Sequence, residues 1–141
     1  MKKFQSNLYL YDMNDRDFLL QFGNCTLPPE LFDHKAHLRL AWLQIKQHGL
    51  DRALENCCEQ ISRFASFHGD HQKFNKTITN ASVYAVNHFM KDETSFEEFI
   101  EKNPQLLSDL KTLINSHYSY DIFTVENARK IFIEPDVQPF I

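Results

Sequence analysis

The residues best suited to chemistry in this sequence are its seven histidines, all of which lie between positions 34 and 117. Imidazole exchanges protons near neutral pH and is a common metal ligand. His34 and His37 are three residues apart, so on a helix they share one face. They continue the apolar stripe of Leu38, Ala41 and Ile45, and we therefore expect both imidazoles to face the protein interior.

Three further histidines continue the apolar stripes of other predicted helices. His68, His88 and His117 follow apolar residues at helical spacing and are also expected to point inward. His48 lies near a helix end and His71 lies in a polar loop, so these two are expected to face solvent. The sequence thus predicts several imidazoles inside the protein.

Inward histidines need partners, because a buried polar group without a hydrogen bond costs roughly a few kcal/mol. One hypothesis is a divalent metal such as Zn, Mn or Fe, bound by His34 and His37 with His68, His88 or Glu30 as a third ligand. The other is that the imidazoles form hydrogen bonds with core groups or with a small ligand. The sequence contains no His-Glu-x-x-His or Glu-x-x-His motif to decide between them.

A second polar cluster consists of Lys73, Asn75, Thr77 and Thr79, at the predicted start of a helix. Free amides at a helix N-terminus, with a lysine and hydroxyls nearby, suit a phosphate or carboxylate group. The simpler explanation is that Asn75 or Thr77 caps the helix and that the lysine is solvated. Both explanations are open at this point.

Trp42 lies two turns after His34, and it is either a wall of the same pocket or an ordinary core residue. The sequence has no glycine-rich phosphate loop and no nucleophile elbow. The adjacent Cys57 and Cys58 lack an obvious activating base in the sequence. Motifs therefore do not decide whether the protein is an enzyme.

The elements that must position these residues are helices. Helix-length segments separated by three glycines and by prolines predict an all-α fold: an antiparallel helical bundle of about four main helices, plus short helices and an extended C-terminal tail. The helix of the first two histidines begins either after an Asp33 cap or earlier, near Glu30. We also expect a first helix that is capped by Asp12 or Asn14 and has a left-handed end at residues 23–24. Further along the chain we expect a continuous helix over residues 104–118 and a last helix from a Thr124 cap to Phe132. An Arg129–Asp136 pair is expected to fasten the tail.

The length of 141 residues and the lack of repeats or linkers predict one domain over residues 1–141. With 43% hydrophobic residues, the chain can bury a core without a disulfide or a structural metal. A formal net charge of −4 without a basic block argues against nucleic acid as a partner. No apolar run is long enough for a membrane span or suits a signal peptide. The number of cysteines, three, is odd, which favours free thiols and therefore the cytoplasm.

Several separated motifs resemble a family of short bacterial all-helical proteins. They are Phe-x-His-x-x-His-Leu-x-x-Ala-Trp over residues 32–42, Phe-Ala at 64–65 with Gly69, the segment 73–79, Tyr-Ser at 118–119, and Ala-Arg-x-x-Phe-x-x-Pro-Asp-x-x-Pro over 128–139. The resemblance covers most of the chain. It implies that the histidine pocket is important, and it implies no particular activity.

One segment departs from the family pattern. Where the family has Lys-Tyr-His-Glu-Thr, this chain has Lys-Phe-Asn-Lys-Thr over residues 73–77, so Asn75 and Lys76 replace a histidine and an acid. If that histidine completes a metal or acid–base site with the counterparts of His34 and His37, the resemblance implies that this protein binds differently or lacks the chemistry.

From these residues we expect an interior polar pocket formed by His34, His37, Thr77 and Thr79, with Asn75 at its mouth. The pocket binds a small molecule or a divalent metal, and in an enzyme a histidine would serve as the acid–base group or as a metal ligand. The alternative is a non-enzymatic interaction module whose histidines complete core hydrogen bonds. A packed region around the first two histidines would favour this alternative, whereas a cavity with converging imidazoles would favour the pocket.

Overall fold

A computed structural model describes residues 13–140, which form helices and turns without a β-strand. The predicted all-α bundle with four main helices is confirmed. No helix in this range is long and apolar enough to cross a membrane. The α-helices are α1 (Asp15–Gly23), α2 (His34–His48), α3 (Leu50–Phe67), α4 (Lys76–Phe89), α5 (Phe96–Lys102), α6 (Gln105–Ser108) and α7 (Leu110–Asn115), and 3-10 turns lie at Pro29–Leu31, His71–Lys73, Ile122–Thr124 and Glu126–Arg129.

The centre of the bundle is α2, which packs against α3 and α4 and also contacts α5 and α6. A helix surrounded in this way must be apolar on most of its circumference. The predicted stripe of Leu38, Ala41 and Ile45 is buried, and so are Leu40 and Leu43 on other faces. The buried surface of α2 is therefore wider than the stripe that the sequence pattern predicts.

The start of α2 is set by Asp33, whose side chain accepts a hydrogen bond from the Ala36 amide at 2.9 Å. Glu30 lies in the separate 3-10 turn before it, so the alternative of an earlier helix start is wrong. At the other end, Gly49 has a φ of 83° and joins α2 directly to α3. Glycine suits this position because side chains disfavour positive φ.

The first helix begins as predicted and ends differently. Asn14 caps α1 by accepting from the Asp17 amide at 2.8 Å, and Asp12, the other predicted cap, lies outside the described residues. The left-handed residue is Cys25, with a φ of 64°, rather than one at 23–24. The left-handed residue lies later in the chain than predicted because the turn that ends α1 extends to Thr26, whose amide donates to the Gln21 carbonyl.

Two helix predictions in the C-terminal third are wrong. The helix expected over residues 104–118 is interrupted at Asp109, whose φ of −133° lies outside the helical range. The last helix is replaced by the 3-10 turns Ile122–Thr124 and Glu126–Arg129. Thr124 does not cap a helix there, because its hydroxyl donates to the Asp121 carbonyl at 2.8 Å.

The C-terminal tail is bound to the bundle through buried hydroxyl groups. Thr77, on α4, is fully buried, and its hydroxyl donates to the Ile131 carbonyl at 2.9 Å and accepts from the Ile133 amide at 3.0 Å. The Tyr118 hydroxyl donates to the Ile133 carbonyl at 2.6 Å. Burial raises the pKa of Tyr118 to about 12, so this hydroxyl keeps its proton at neutral pH.

Arg129 and Asp136 both hold the tail, but they do not pair with each other as predicted. Arg129 donates to the Gln72 carbonyl and forms an ion pair with Glu126 at 3.3 Å. Asp136 accepts from the backbone and side chain of Ser119. These hydrogen bonds lower the pKa of the Asp136 carboxyl. Each residue therefore fastens a different part of the tail.

We expect Thr77→Val to release the tail while preserving the shape of the side chain. The variant leaves the Ile131 carbonyl and the Ile133 amide unpaired, which should lower the free energy of unfolding by about 1–3 kcal/mol. Urea denaturation measures this loss, and hydrogen exchange of the Ile133 amide should become faster. Thr77→Ser keeps the hydroxyl and should leave that exchange rate slow. Equal exchange rates in both variants would contradict the anchoring role.

Candidate functional site

Two adjoining cavities lie between α2, α3 and the segment that leads into α4. Their volumes are about 120 and 140 Å³. They share His37, Ile61, Lys73 and Phe74 as lining residues, so we treat them as one site and call it the His37 cleft. The first cavity adds the polar residues Asn75, Thr79 and Ser82, and the second adds His68 and Asp70.

His37 has one ring nitrogen fixed by the backbone. Its Nδ1 lies 2.8 Å from the Asp33 carbonyl oxygen. A carbonyl can only accept, so Nδ1 carries the hydrogen and Nε2 of the neutral ring is an acceptor. The ring also packs on Phe32, with the centroids 3.9 Å apart. Among residues 13–140 there is no hydrogen-bond partner for Nε2, so this nitrogen is available to a ligand.

The electrostatic surroundings keep His37 neutral. Burial lowers the pKa of His37 from its ordinary value of 6.5, and the nearby His34 lowers it further. The hydrogen bond to the Asp33 carbonyl and the Asp33 charge act in the opposite direction, but the net shift is downward. At neutral pH the imidazole is therefore uncharged, which is the form that accepts a proton or a hydrogen bond.

His68 supplies a second imidazole to the cleft. It directly follows α3, and its ring packs on Phe64 with a centroid distance of 4.5 Å. Its Nε2 is buried and has no hydrogen-bond partner in the described part of the chain. Buried polar atoms in native proteins nearly always have a partner, and the described residues contain one other unpaired buried side-chain nitrogen, Trp42 Nε1 in the core.

The start of α4 forms the polar wall opposite His37. Asn75 caps the helix, since its Oδ1 accepts from the Ile78 amide at 2.9 Å, and Thr77 does not cap it. The Asn75 side-chain NH₂ and the Thr79 hydroxyl have no partner within residues 13–140, so they can donate into the cleft. Lys73 lies at the rim, where its side chain is 79% exposed and 3.0 Å from Asp70. The capping explanation is confirmed for Asn75, and the Lys73 ammonium is mostly solvated.

The structure brings together only part of the predicted site. His37, Lys73, Asn75 and Thr79 line the same cavity. Thr77 lies under the C-terminal tail instead, because its hydroxyl binds the tail backbone.

The prediction that His34 faces inward is wrong. His34 is the first residue of α2 and is exposed, and its Nε2 lies 3.0 Å from the Leu106 carbonyl of α6. His88, also predicted to point inward, is exposed as well. A helix of the bundle covers only the surface it touches, and both of these side chains remain exposed. His117 is half-buried, and His48 and His71 are exposed as expected.

Trp42 belongs to the core and not to the cleft. It is 2% exposed and packs against Phe96 and Phe99 of α5, with ring centroids 6.3 and 6.4 Å away. The ordinary core explanation for the tryptophan is therefore confirmed.

The predicted metal ligands do not assemble. The described residues contain no group of three or more His, Cys, Asp or Glu side chains that could hold a metal ion. His34, His37 and His68 therefore do not form the predicted metal site. His34 uses Nε2 on α6, and Glu30 lies outside the helix on which it would have reached the imidazoles.

The cleft includes residues that the sequence analysis missed. Ser82 lies on the same face of α4 as Asn75 and Ile78, at helical spacings of seven and four, and this spacing was the available signal. Cys57 also lines the cleft, but burial raises its pKa to about 12. Its thiol is protonated at neutral pH and is a poor nucleophile.

The fold and the cleft define an all-α protein with a small, histidine-containing cleft between the starts of α2 and α4 and the end of α3. Comparisons with known protein families, with curated proteins and with solved structures found no match to this chain. Its function is therefore inferred from the geometry of the cleft.

The lowered pKa of His37 predicts a pH-dependent stability. The unfolded chain binds a proton at His37 at higher pH than the folded protein does, so stability should fall as the pH drops below about 6.5. Denaturation at several pH values between neutral and about pH 5 should show a smaller loss for His37→Phe, which cannot titrate. His48→Phe, at the exposed end of the same helix, is the control. A His37 titration midpoint above 6.5 by NMR would contradict the burial of the ring.

Proposed function

We propose that the His37 cleft binds a small polar molecule, with His37 Nε2 as the acceptor for a hydroxyl or N–H group of that molecule. One observation carries the proposal: His37 and His68 line one cavity, and each has a ring nitrogen without a hydrogen-bond partner among residues 13–140. A ligand that pairs with these nitrogens gains hydrogen bonds that the protein alone does not form.

The size of the cleft limits the ligand. Each of its cavities is smaller than the ~300 Å³ at the lower end of typical ligand pockets. The apolar lining, which includes Ile61 and Phe74, leaves room for a short chain or a single small ring. This volume favours a small metabolite over a nucleotide or a peptide.

The polar wall indicates which groups the ligand carries. Asn75 and Thr79 offer donors on one side, and neutral His37 offers an acceptor. In a molecule with a hydroxyl next to a carboxylate or an amide, the hydroxyl can donate to His37 and the carboxylate or amide oxygen can accept from Asn75 and Thr79. The Lys73 ammonium at the rim adds a favourable charge for a carboxylate. We therefore propose a small hydroxylated carboxylate or amide as the ligand class.

A neutral imidazole that accepts a hydrogen bond from a hydroxyl is also placed to accept its proton. If the cleft is catalytic, His37 is the general base and its Nδ1–H bond to Asp33 holds the ring in the required tautomer. Cys57 is not a candidate nucleophile, since its pKa is raised to about 12. The proposed chemistry is therefore acid–base rather than covalent.

A second candidate function, an interaction module with structural histidines, rests on two other imidazoles. His34 binds the Leu106 carbonyl at 3.0 Å, and His117 binds the Gln138 carbonyl at 2.9 Å. These contacts support a structural role for those two histidines.

The proposed cellular setting follows from the thiols and the charge. Cys25, Cys57 and Cys58 are free cysteines, which supports a reducing compartment such as the cytoplasm. A formal net charge of −4 favours a small-molecule partner over nucleic acid.

The binding proposal is tested by NMR of the histidine side chains during titration with glycolate, lactate, glycerate and lactamide. We expect saturable shifts of the His37 and His68 ring protons for at least one of these compounds, with His34 and His88 unchanged. His37→Phe keeps a ring on Phe32 and removes both nitrogens, so it should weaken binding about tenfold, the value of one good hydrogen bond.

The matched control is His48→Phe, which changes an exposed residue of the same helix and should bind like the native protein. Titrations without shifts at millimolar concentrations would reject this ligand class. Equal affinity in His37→Phe would reject His37 as the binding group.

A further inference from the structure

A separate cavity of about 310 Å³ lies between α4, α7 and the C-terminal tail. Its volume is larger than that of either part of the His37 cleft, and it reaches the range of typical ligand pockets. It shares no lining residue with that cleft. We call it the tail cavity, and its walls include Tyr84, His88, Phe89, Leu113, His117 and Phe140.

Five of the twelve residues that line the tail cavity carry an aromatic ring. The rings of Tyr84 and Phe140 are nearly parallel, with an interplanar angle of 12° and a centroid distance of 5.3 Å. The His117 ring lies 4.5 Å from Phe140. These rings pack on one another, and together they give the cavity an aromatic wall against which an aromatic ligand can pack through ring edges or a remaining face.

One polar group of the cavity, the His117 ring, is fixed as an acceptor by its backbone contact. His117 Nδ1 lies 2.9 Å from the Gln138 carbonyl, so Nδ1 carries the hydrogen and Nε2 of the neutral ring is left as an acceptor. The Ser116 hydroxyl already donates to the Leu113 carbonyl at 2.6 Å. A ligand in this cavity is therefore best matched if it carries a hydroxyl or a ring N–H.

The tail wall is formed without a ligand. The Val137 amide donates to the His117 carbonyl at 3.0 Å, and His117 Nδ1 donates back to Gln138. Asp136 accepts from Ser119 just before this pair. Because these bonds hold the backbone next to Phe140, binding does not require ordering of the tail, and preorganisation of this kind increases affinity.

We propose that the tail cavity is a second binding site, which takes a small aromatic molecule of one or two rings with a hydroxyl or N–H group, of the phenol or indole type. The site is independent of the His37 cleft, and it gives the C-terminal tail a role as a wall of a ligand site.

Calorimetric titration with indole and with phenol tests this proposal, and cyclohexanol serves as a non-aromatic probe that keeps the hydroxyl. We expect saturable binding of an aromatic probe with weaker binding of cyclohexanol. Phe140→Leu keeps an apolar side chain and removes the ring, so it should weaken aromatic binding about five- to tenfold. Val137→Ala changes an exposed side chain of the same tail and should leave binding unchanged.

His37→Phe should also bind the aromatic probe like the native protein, so the outcome does not depend on the His37 cleft. NMR amide shifts should locate the probe beside Tyr84 and His117. Absence of saturable binding at millimolar concentrations, or equal affinity in Phe140→Leu with the tail still ordered by hydrogen exchange, would overturn the proposal.

Discussion

One backbone carbonyl organises the candidate site. The carbonyl of Asp33 accepts the first backbone hydrogen bond of α2, from the His37 amide at 3.0 Å, and it also accepts from the His37 ring at 2.8 Å. The side chain of the same residue caps the helix through Ala36. The start of α2, the tautomer of His37 and the direction of its ring are thus coupled, and a change at Asp33 would disturb all three.

The sequence predicts the fold better than it predicts the site. The periodicity of α2, α3 and α4 indicates their existence because an apolar helix face has to be buried whatever its neighbour is. Which histidine side chain is covered by an adjacent helix depends on the tertiary structure. His34 and His37 share the predicted helix face. His34 nevertheless contacts the backbone carbonyl of Leu106, whereas His37 lines the cleft because it lies beside α3 and the start of α4.

The wrong prediction of a last helix has a tertiary cause. Local propensity suggested a helix after Thr124, but backbone groups of the tail instead bind side chains far away in the sequence, such as Thr77. A hydroxyl in a helix can equally cap that helix or bind another segment. Thr77 and Asn75 looked equivalent as caps, and the tertiary contact with Ile131 and Ile133 distinguishes them.

The single residue between α2 and α3 has a consequence for the order of folding. Two long helices joined by Gly49 make their contacts at short separation along the chain, so their pairing closes a small loop and loses little chain entropy. The bonds from Thr77 to the tail span 54 and 56 residues and close a far longer loop. We therefore expect the helical hairpin to form before the tail docks, so that docking of the tail is the step that completes the tail cavity.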